Sequence, residues 1–331
     1  MLVNGVHCLS SCGRSNGWMS RIRARRQAGR SVRRILLTGA SGLIGTALQN
    51  SFEPRLKNRE VEIVRMVRRL AKDTAQLSWD PPAPLSSAVV SGFDTVIHLA
   101  GESVVGRWTP EKKKAIRDSR VNGTRNLATA LARTKIKPRV FVCASAIGFY
   151  GNRGDEVLRE DSPSGQGFLP EVCREWEAAT RFAADVGIRT INLRIGLVLS
   201  NKGGALEKML VPFRRGLGGR LGSGQSWWSW IHIDDIVGGI HHAIASESLS
   251  GPLNMVSPNP VRNAEFTKVL ADVLRRPAIF PVPPFILRLA FRRMAADEMF
   301  LSSARVAPEK LKANGYSFRC PELRSALESL V

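Results

Sequence analysis

The chain has 331 residues, a length typical of two domains or of one large α/β unit with a smaller addition. Its 44% hydrophobic and 23% charged residues are ordinary globular usage, which excludes disordered, collagen-like and disulfide-scaffold proteins. The charge is unusual, because 49 Lys and Arg residues against 28 Asp and Glu residues give a net +21. Nucleic acid, anionic membranes and phosphorylated ligands are therefore the first candidate partners.

Much of this charge lies at the N-terminus. Residues 1–34 carry eight arginines, and the first acidic residue of the chain is Glu53. An Arg-rich, Ser-containing, acid-free segment is typical of an organelle transit peptide, which predicts the chloroplast stroma or the mitochondrial matrix. The alternative is a disordered arm, or a start at or near Met19 or just before Arg33, which predicts a cytoplasmic protein. Either way, residues 1–32 are assigned to a basic leader or arm outside the fold.

No stretch reaches the roughly 18 apolar residues that a transmembrane helix requires. The richest, 279–291, is interrupted by prolines and Arg288. We therefore expect a soluble protein without integral membrane association. The five cysteines are odd in number and lack metal-ligand spacing, which predicts free thiols in a reducing compartment, with Cys143 and Cys173 in the core.

Apolar runs alternate with helical spacing in the first two thirds of the chain. Strands are predicted at 34–38, 61–67, 94–100, 139–144 and 188–198, with helices at 43–52, 121–133 and 236–245. This alternation predicts an α/β fold, a Rossmann doubly wound parallel sheet covered on both faces. We assign residues 33–252 to this nucleotide-binding domain and 253–331 to a smaller C-terminal α+β substrate domain, with helices near 263–274, 284–294 and 321–330.

A glycine-rich excursion, 203–226, precedes Trp227, Trp228 and Trp230. Either it forms a mobile flap with aromatic faces for a ring or lipid-like substrate, or Trp230 is core and the glycines are a linker. The next motif, His232 with Asp234 and Asp235, is a possible metal site. Consecutive acids at a strand end more often cap the following helix, so no metal is predicted.

The segment Gly39-Ala40-Ser41-Gly42-Leu43-Ile44-Gly45 follows a strand and opens a helix, as a dinucleotide fingerprint requires. Gly39 would allow the tight turn, Gly42 the approach of backbone N–H groups to a pyrophosphate, and Gly45 close helix–strand packing. The fingerprint predicts a bound dinucleotide.

The end of the second predicted strand identifies the dinucleotide. A site for NAD(H) places an acidic residue there, whereas this strand ends in Arg68 and Arg69. A guanidinium can bind a 2′-phosphate, so NADP(H) is the predicted cofactor. The alternative is that both arginines form a solvated surface pair.

Motifs later in the chain extend this pattern. They are His98-Leu99-Ala100-Gly101-Glu102, Ala144-Ser145 through Tyr150-Gly151, Leu193-Arg194-Ile195-Gly196 and Trp230 through Asp235. Together with the fingerprint they resemble the extended short-chain dehydrogenase/reductases, most closely the atypical epimerase family proteins of family 39U. The resemblance covers about residues 33–331. It implies an NADP(H)-binding Rossmann domain in which Leu99, Ala100 and Gly101 border the adenosine.

The same resemblance implies a tyrosine acid/base, with a lysine four residues on, and a serine after the fourth strand. Those tyrosine and lysine positions fall on Leu169 and Cys173, and the usual asparagine is replaced by Arg120. Ser145 stays near its expected place. Three other groups are candidates: Glu102 as a buried acid of raised pKa, Tyr150 as a proton donor, and Arg120 as an anion or oxyanion binder. Each also has an alternative without a catalytic role. Glu102 would form an ion pair with Arg120, Tyr150 would be a packing residue, and Ser145 would cap a turn.

Two functions follow. The first is an NADP(H)-dependent oxidoreductase or epimerase acting on a small carbonyl or hydroxyl substrate without the usual Tyr–Lys pair. The second is a catalytically silent NADP(H)-binding regulator or scaffold, for example in organelle or cell division. Nucleic-acid binding is not expected, because the remaining basic residues are dispersed and lack a recognition motif. Either a monomer or a homodimer is compatible with the sequence.

Overall fold

A computed structural model describes residues 32–68, 70–81 and 83–331. The basic leader, apart from Val32, lies outside the described residues, and so does Arg69. The predictions for these residues therefore remain predictions.

The strands are short and begin at residue 33. They are β1 (Arg33–Thr38), β2 (Val61–Val67), β3 (Gln76–Ser78), β4 (Thr95–His98), β5 (Val140–Ala146), β6 (Val157–Leu158), β7 (Arg189–Ile195), β8 (Leu197–Leu199), β9 (Trp227–Trp228), β10 (Trp230–His232), β11 (Gly251–Met255), β12 (Val261–Arg262) and β13 (Arg305–Val306).

Seven of these strands form one parallel sheet in the order β11-β7-β5-β4-β1-β2-β3. β1 pairs with β2 on one side and with β4 on the other, so the strand order reverses between β1 and β4. The predicted doubly wound sheet is confirmed. β3 and β11 were not predicted, because β3 has three residues and β11 contains Pro252 and Asn254. The predicted domain boundary at residue 252 falls inside β11.

Helices cover both faces of this sheet. They are α1 (Leu43–Lys57), α2 (Pro110–Ala132), α3 (Phe168–Ala179), α4 (Arg181–Ala184), α5 (Gly204–Arg214), α6 (Ile233–Ala245), α7 (Asn263–Leu274), α8 (Pro284–Phe291), α9 (Arg293–Met299), α10 (Glu309–Ala313) and α11 (Leu323–Glu328). No described helix combines the length and the apolarity needed to span a bilayer.

Alternating strand residues separate the core into two layers. Leu37 of β1 packs with Leu48 of α1 and Ile240 of α6 on one face of the sheet. Leu36 packs on the other face with Leu131 of α2 and Trp176 of α3. Because both faces are covered, the strands read as continuous apolar runs in the sequence.

A third core cluster joins the C-terminal part to the rest of the molecule. Fully buried Trp230 packs with Phe213 of α5, Phe266 and Leu270 of α7, and Leu327 of α11. Trp230 is therefore core, as the linker alternative predicts. The end of the glycine-rich excursion runs along the C-terminal part, since Val282 N donates to the Arg220 carbonyl at 2.8 Å.

Candidate functional site

The fingerprint loop brings α1 against β1 at the carboxyl edge of the sheet. Gly39 has a φ of +70°, and a Cβ there would lie 2.6 Å from the carbonyl carbon of Leu99. A Cβ on Gly45 would lie 2.2 Å from the Gly39 oxygen. Only glycine permits this approach, so both positions have the steric role that the sequence predicts.

The N-terminus of α1 is free of side-chain capping. Gly42 is the N-cap, no side chain bonds the first-turn N–H groups, and the first turn holds no acidic residue. Ser41, Leu43 and Ile44 lie at this end of the helix. Unsatisfied N–H groups and the positive end of the helix dipole suit a dinucleotide pyrophosphate. The residues present therefore fit this part of the cofactor.

Two further segments border this edge. Leu99, Ala100 and Gly101 follow β4, the strand beside β1, and the Ala100 N–H donates to Thr38 Oγ1 at 3.2 Å. Arg68 follows β2 on the other side of β1, where its side chain is exposed. A cation at this place fits a 2′-phosphate, whereas the carboxylate that an NAD(H) site places there is missing.

A buried polar chain runs beneath this edge. His98 Nδ1 lies 2.6 Å from Thr38 Oγ1, and its Nε2 lies 2.9 Å from Thr124 Oγ1. Trp176 Nε1 donates to the same Thr124 oxygen at 2.8 Å. Burial lowers the pKa of His98 to about 4, so the ring is neutral at pH 7. The chain connects β1, β4, α2 and α3.

Ser145, at the end of β5, contacts a buried ion pair. Its hydroxyl donates to Glu177 Oε1 at 2.7 Å. The Glu177 carboxylate also accepts two bonds from Arg194, both at 2.9 Å, from Nε and Nη2. The Ser145 proton is therefore committed to the carboxylate, and its oxygen is left to accept hydrogen bonds.

Tyr150 is fully buried, so its hydroxyl is not exposed at the sheet edge. Its hydroxyl accepts from Arg194 Nη1 and lies 2.7 Å from Asn254 Oδ1 and 2.8 Å from the Arg159 carbonyl, either of which can accept its proton. Burial raises the pKa of Tyr150 to about 12. These contacts support the packing alternative for Tyr150, not the proton donor.

Glu102 differs from the predicted buried acid. Its carboxylate is partly exposed and lies 2.6 Å from Lys112 Nζ. The hydrogen bond from Lys112 lowers the pKa of Glu102, so the expected raised pKa is wrong. The reason is that α2 begins beside the end of β4 and brings a lysine to this carboxylate.

Arg120 contacts the backbone of the Glu102 segment, not its carboxylate. Its Nη1 donates to the Glu102 carbonyl at 2.8 Å, and its guanidinium lies 5.0 Å from the Trp176 ring centre. A Cβ on Gly101 would be 3.3 Å from Arg120 Cζ. The predicted Arg120–Glu102 side-chain pair is absent from the described residues, and Arg120 instead supports the loop after β4.

Leu169 and Cys173 lie in the first two turns of α3, beside the turn that follows β5. A Cβ on Gly148 would lie 3.5 Å from Leu169 Cβ and 3.9 Å from Cys173 Sγ. Burial raises the pKa of Cys173 to about 12, so this thiol stays protonated. Neither residue replaces the missing Tyr–Lys pair chemically.

The N-terminus of α3 is capped from the C-terminal part of the chain. Glu298 accepts hydrogen bonds from the Phe168 and Leu169 N–H groups, at 3.0 and 2.7 Å. The carboxylate therefore takes the place of a local cap on the helix that carries Leu169.

The acidic pair after β10 has a different role from the one predicted. His232 caps α6, accepting from the Asp234 N–H at 3.1 Å, so the prediction of an Asp cap is wrong. Asp235 is buried and accepts from the N–H groups of Arg319 and Cys320, at 2.7 and 2.9 Å. Among the described residues, no group of three or more His, Cys, Asp or Glu side chains could hold a metal ion.

A cavity of about 980 Å³ opens between α1 and α6. It touches the fingerprint at Ser41, Gly42 and Leu43, and Lys202 and Arg319 lie on its other walls. No residue at the ends of β4 and β5 lines it. The fingerprint and the sheet edge, rather than this cavity, define the candidate site.

The sequence reasoning missed Glu177, Lys112 and the buried polar chain. A signal existed for two of the polar residues, because His98 ends the apolar run of β4 and Arg194 interrupts that of β7. Glu177 carried no comparable signal, since a glutamate on a helix is usually solvated.

Comparison with known proteins agrees with this geometry. The model described as "NAD dependent epimerase/dehydratase family" matches residues 35–255, and a domain of unknown function, DUF1731, matches residues 282–330. The Arabidopsis thaliana "Epimerase family protein SDR39U1 homolog, chloroplastic" is 36% identical over 304 residues, covering 90% of this chain and 86% of that protein.

Two solved structures have similar folds. Human epimerase family protein SDR39U1 (isoform 2), crystallised with NADPH, has a TM-score of 0.81 and 33% identity, covering 90% of this chain and 98% of the human one. A nucleoside-diphosphate sugar epimerase from Corynebacterium glutamicum has a TM-score of 0.73 and 36% identity, covering 93% of this chain and 60% of that one. With the matched models, these likenesses confirm the predicted resemblance: the chain belongs to the NAD dependent epimerase/dehydratase family and carries a DUF1731 domain at its C-terminus.

Proposed function

We propose that this protein binds NADPH and reduces a small, already polarised acceptor such as a conjugated carbonyl compound. The observation that carries the proposal is that the sheet edge keeps its dinucleotide fingerprint while the Ser145 hydroxyl already donates its proton to Glu177. The human relative crystallised with NADPH supports the cofactor.

Three parts of the chain would form the cofactor site. The uncapped first turn of α1 would bind the pyrophosphate, Arg68 the 2′-phosphate, and the backbone of 99–101 would border the adenosine. When bound, NADPH supplies a hydride. The neutral His98 chain beneath the edge holds β1 and β4 in place without adding a charge.

The acid/base groups favour reduction over alcohol oxidation or epimerisation. Both alternatives require a base that removes a hydroxyl proton. Tyr150 and Cys173 are buried with raised pKa values, and Leu169 has no ionisable group. The carboxylates of Glu102 and Glu177 are already paired, with Lys112 and Arg194 respectively. Reduction of an electrophilic acceptor needs no alcohol base, and water can protonate the product.

The turnover test is single-turnover oxidation of bound NADPH, followed at 340 nm after mixing with 9,10-phenanthrenequinone or a conjugated enone. We expect NADPH loss, with Ser145→Ala reducing the rate less than about tenfold, because the Ser145 proton is already committed. Product analysis should show one reduced acceptor per NADPH consumed. Epimerisation of a nucleoside-diphosphate sugar without net cofactor turnover would contradict the proposal.

A second candidate function is the catalytically silent NADP(H)-binding regulator or scaffold. It is favoured by the same commitments of Ser145 and Tyr150, which leave no side chain in place of the Tyr–Lys pair. Tight NADPH binding without oxidation by any acceptor would support this function over the reductase.

The cofactor prediction is tested at Arg68. Arg68→Ala should weaken NADPH binding about 30-fold, since charge-assisted hydrogen bonds contribute about 2 kcal/mol, and change NADH binding little. Protein fluorescence titration measures both dissociation constants. Arg65→Ala, within β2 and paired with Asp73, is the matched control. Wild-type binding of NADH as tight as that of NADPH would overturn the assignment.

We also propose that residues 1–32 act as an organelle import signal. Their arginines and lack of acidic residues support import, and one relative is named chloroplastic. A fluorescent protein fused behind residues 1–32 should enter isolated chloroplasts or mitochondria. Exclusion from both organelles would leave the cytoplasmic alternative.

A further inference from the structure

The C-terminal part and the loop before it carry an exposed apolar surface. It consists of seven side chains: Leu217, Ile279, Phe280, Phe285, Ile286, Leu289 and Met294. The loop 216–219 and the loop 277–280 lie against each other. A Cβ on Gly216 would lie 3.4 Å from Pro277 Cγ, and a Cβ on Gly219 would overlap the Phe280 carbonyl. Clustered apolar exposure of this kind marks an interaction site rather than scattered surface residues.

Helix α8 carries part of this surface on its exposed face, and its other contacts hold it against the protein. Leu287 is buried, whereas Phe285 and Leu289 are 67% and 74% exposed. Arg107 donates to the carbonyls of Leu289 and Ala290, both at 3.1 Å, and so fixes the C-terminal end of the helix to the loop after β4. The apolar side chains are therefore not needed to hold the helix in place.

Cations border the apolar surface. Arg214, Arg215, Arg275 and Arg276 are exposed, and none of them forms an ion pair within the described residues. A cavity of about 430 Å³ beside Ile279 is lined by Arg220, Lys268 and Arg276. Its one acid, Asp272, lies 3.1 Å from Arg324 and is already paired.

We propose that the apolar surface and its basic border dock this protein on an anionic lipid bilayer. The apolar side chains would lie at the boundary between headgroups and acyl chains, and the arginines would contact lipid phosphates, as in interfacial amphipathic helices. A second copy of the chain is a poorer occupant, because a symmetric contact would bring the same arginines together. This docking is independent of the proposed reductase activity.

The test uses the full chain with vesicles of 70% phosphatidylcholine and 30% phosphatidylglycerol, compared with phosphatidylcholine alone. We expect cosedimentation with the anionic vesicles only, and slower hydrogen exchange in peptides covering 279–291. Arg275→Gln with Arg276→Gln should weaken binding about 30-fold, since each basic residue near an anionic surface contributes about 1 kcal/mol. Phe285→Ser with Leu289→Ser should abolish the protection.

Matched controls lie on the loop after α2, at the other end of the sheet. Ile136 is 66% exposed between Lys135 and Lys137. Ile136→Ser removes an exposed apolar side chain there, and Lys135→Gln with Lys137→Gln removes two exposed cations. Both variants should leave vesicle binding unchanged. Three results would overturn the proposal. They are no vesicle binding, binding through another part of the chain that leaves 279–291 unprotected, and protection without vesicles at raised protein concentration, which would indicate self-association.

Discussion

At the scale of single residues, the protein places polar side chains where the sheet is otherwise apolar. His98, Thr38 and Thr124 satisfy one another inside the core, and Glu177 is held by Arg194 and Ser145. Buried polar groups without partners are costly, so each of these residues depends on the others. Two predictions follow from this dependence, one for pH and one for an ion pair.

Acid should destabilise the protein through His98. Its pKa is about 4 in the folded state and 6.5 in the unfolded chain, so between pH 6.5 and 4 only the unfolded state takes up the proton. The shift corresponds to about 3 kcal/mol of stability, complete above pH 6.5 and lost as the pH falls to 4. Urea unfolding at pH 7 and pH 4.5 measures it. His98→Gln should lower stability at pH 7 and flatten this dependence; an unchanged slope would contradict the assignment.

Glu177→Gln should destabilise the protein by about 3 kcal/mol, because it leaves a buried guanidinium without its carboxylate. Glu175→Gln is the matched control on the same helix, since Glu175 pairs with the more exposed Arg117 and should cost less than about 1 kcal/mol. Urea unfolding at pH 7 compares the two variants. Equal decreases in the free energy of unfolding would contradict the prediction that the Glu177–Arg194 pair contributes more than the Glu175–Arg117 pair.

At the scale of elements, the sequence predicted the parts that depend on local pattern. Apolar runs identified five strands of the sheet, and glycine spacing identified the turn between β1 and α1. Parts that depend on distant partners were not predictable. Lys112 reaches Glu102 because α2 begins beside β4, and Tyr150 is buried among Leu158, Val256 and Val306, which lie far from it in the sequence or on other elements. The α8–α9 break at Arg292, with a φ of +68°, carried no glycine signal either.

Gly45→Ala should separate α1 from β1. The added Cβ would lie 2.2 Å from the Gly39 oxygen, so we expect a loss of about 3 kcal/mol or more and much weaker NADPH binding. The control is Gly123→Ala in α2, whose Cβ would be 3.4 Å from its nearest neighbour, Pro81 Cβ. It should be neutral or stabilise by up to about 1 kcal/mol. Urea unfolding and fluorescence titration measure these effects, and wild-type NADPH binding by Gly45→Ala would contradict the packing argument.

At the scale of the whole molecule, carboxylates join the C-terminal part to the nucleotide-binding sheet. Asp235 binds the 319–320 backbone, Glu160 accepts from the N–H groups of Asn254 and Lys310, and Glu298 caps α3. In each case the carboxylate accepts from backbone N–H groups, so these contacts do not require particular side chains on the donor residues. This explains why sequence pattern alone did not reveal the contacts.

Asp235→Asn should loosen the C-terminal part, because an amide cannot accept from both N–H groups and the Tyr316 hydroxyl as a carboxylate does. We expect about 2 kcal/mol of destabilisation and faster hydrogen exchange at residues 316–320. Asp234→Asn is the matched control, since the side chain of Asp234 is exposed although it neighbours Asp235 in the sequence. Equal exchange in the two variants would show that Asp235 is not the anchor.

The Glu298 cap has a consequence for how the molecule can be divided. The helix that carries Leu169 and Cys173 begins on N–H groups that a residue 130 positions later satisfies. A chain that ended before the DUF1731 domain would leave the first N–H groups of that helix without their acceptor. The region matched by DUF1731 therefore supplies the cap of a helix that belongs to the larger matched region.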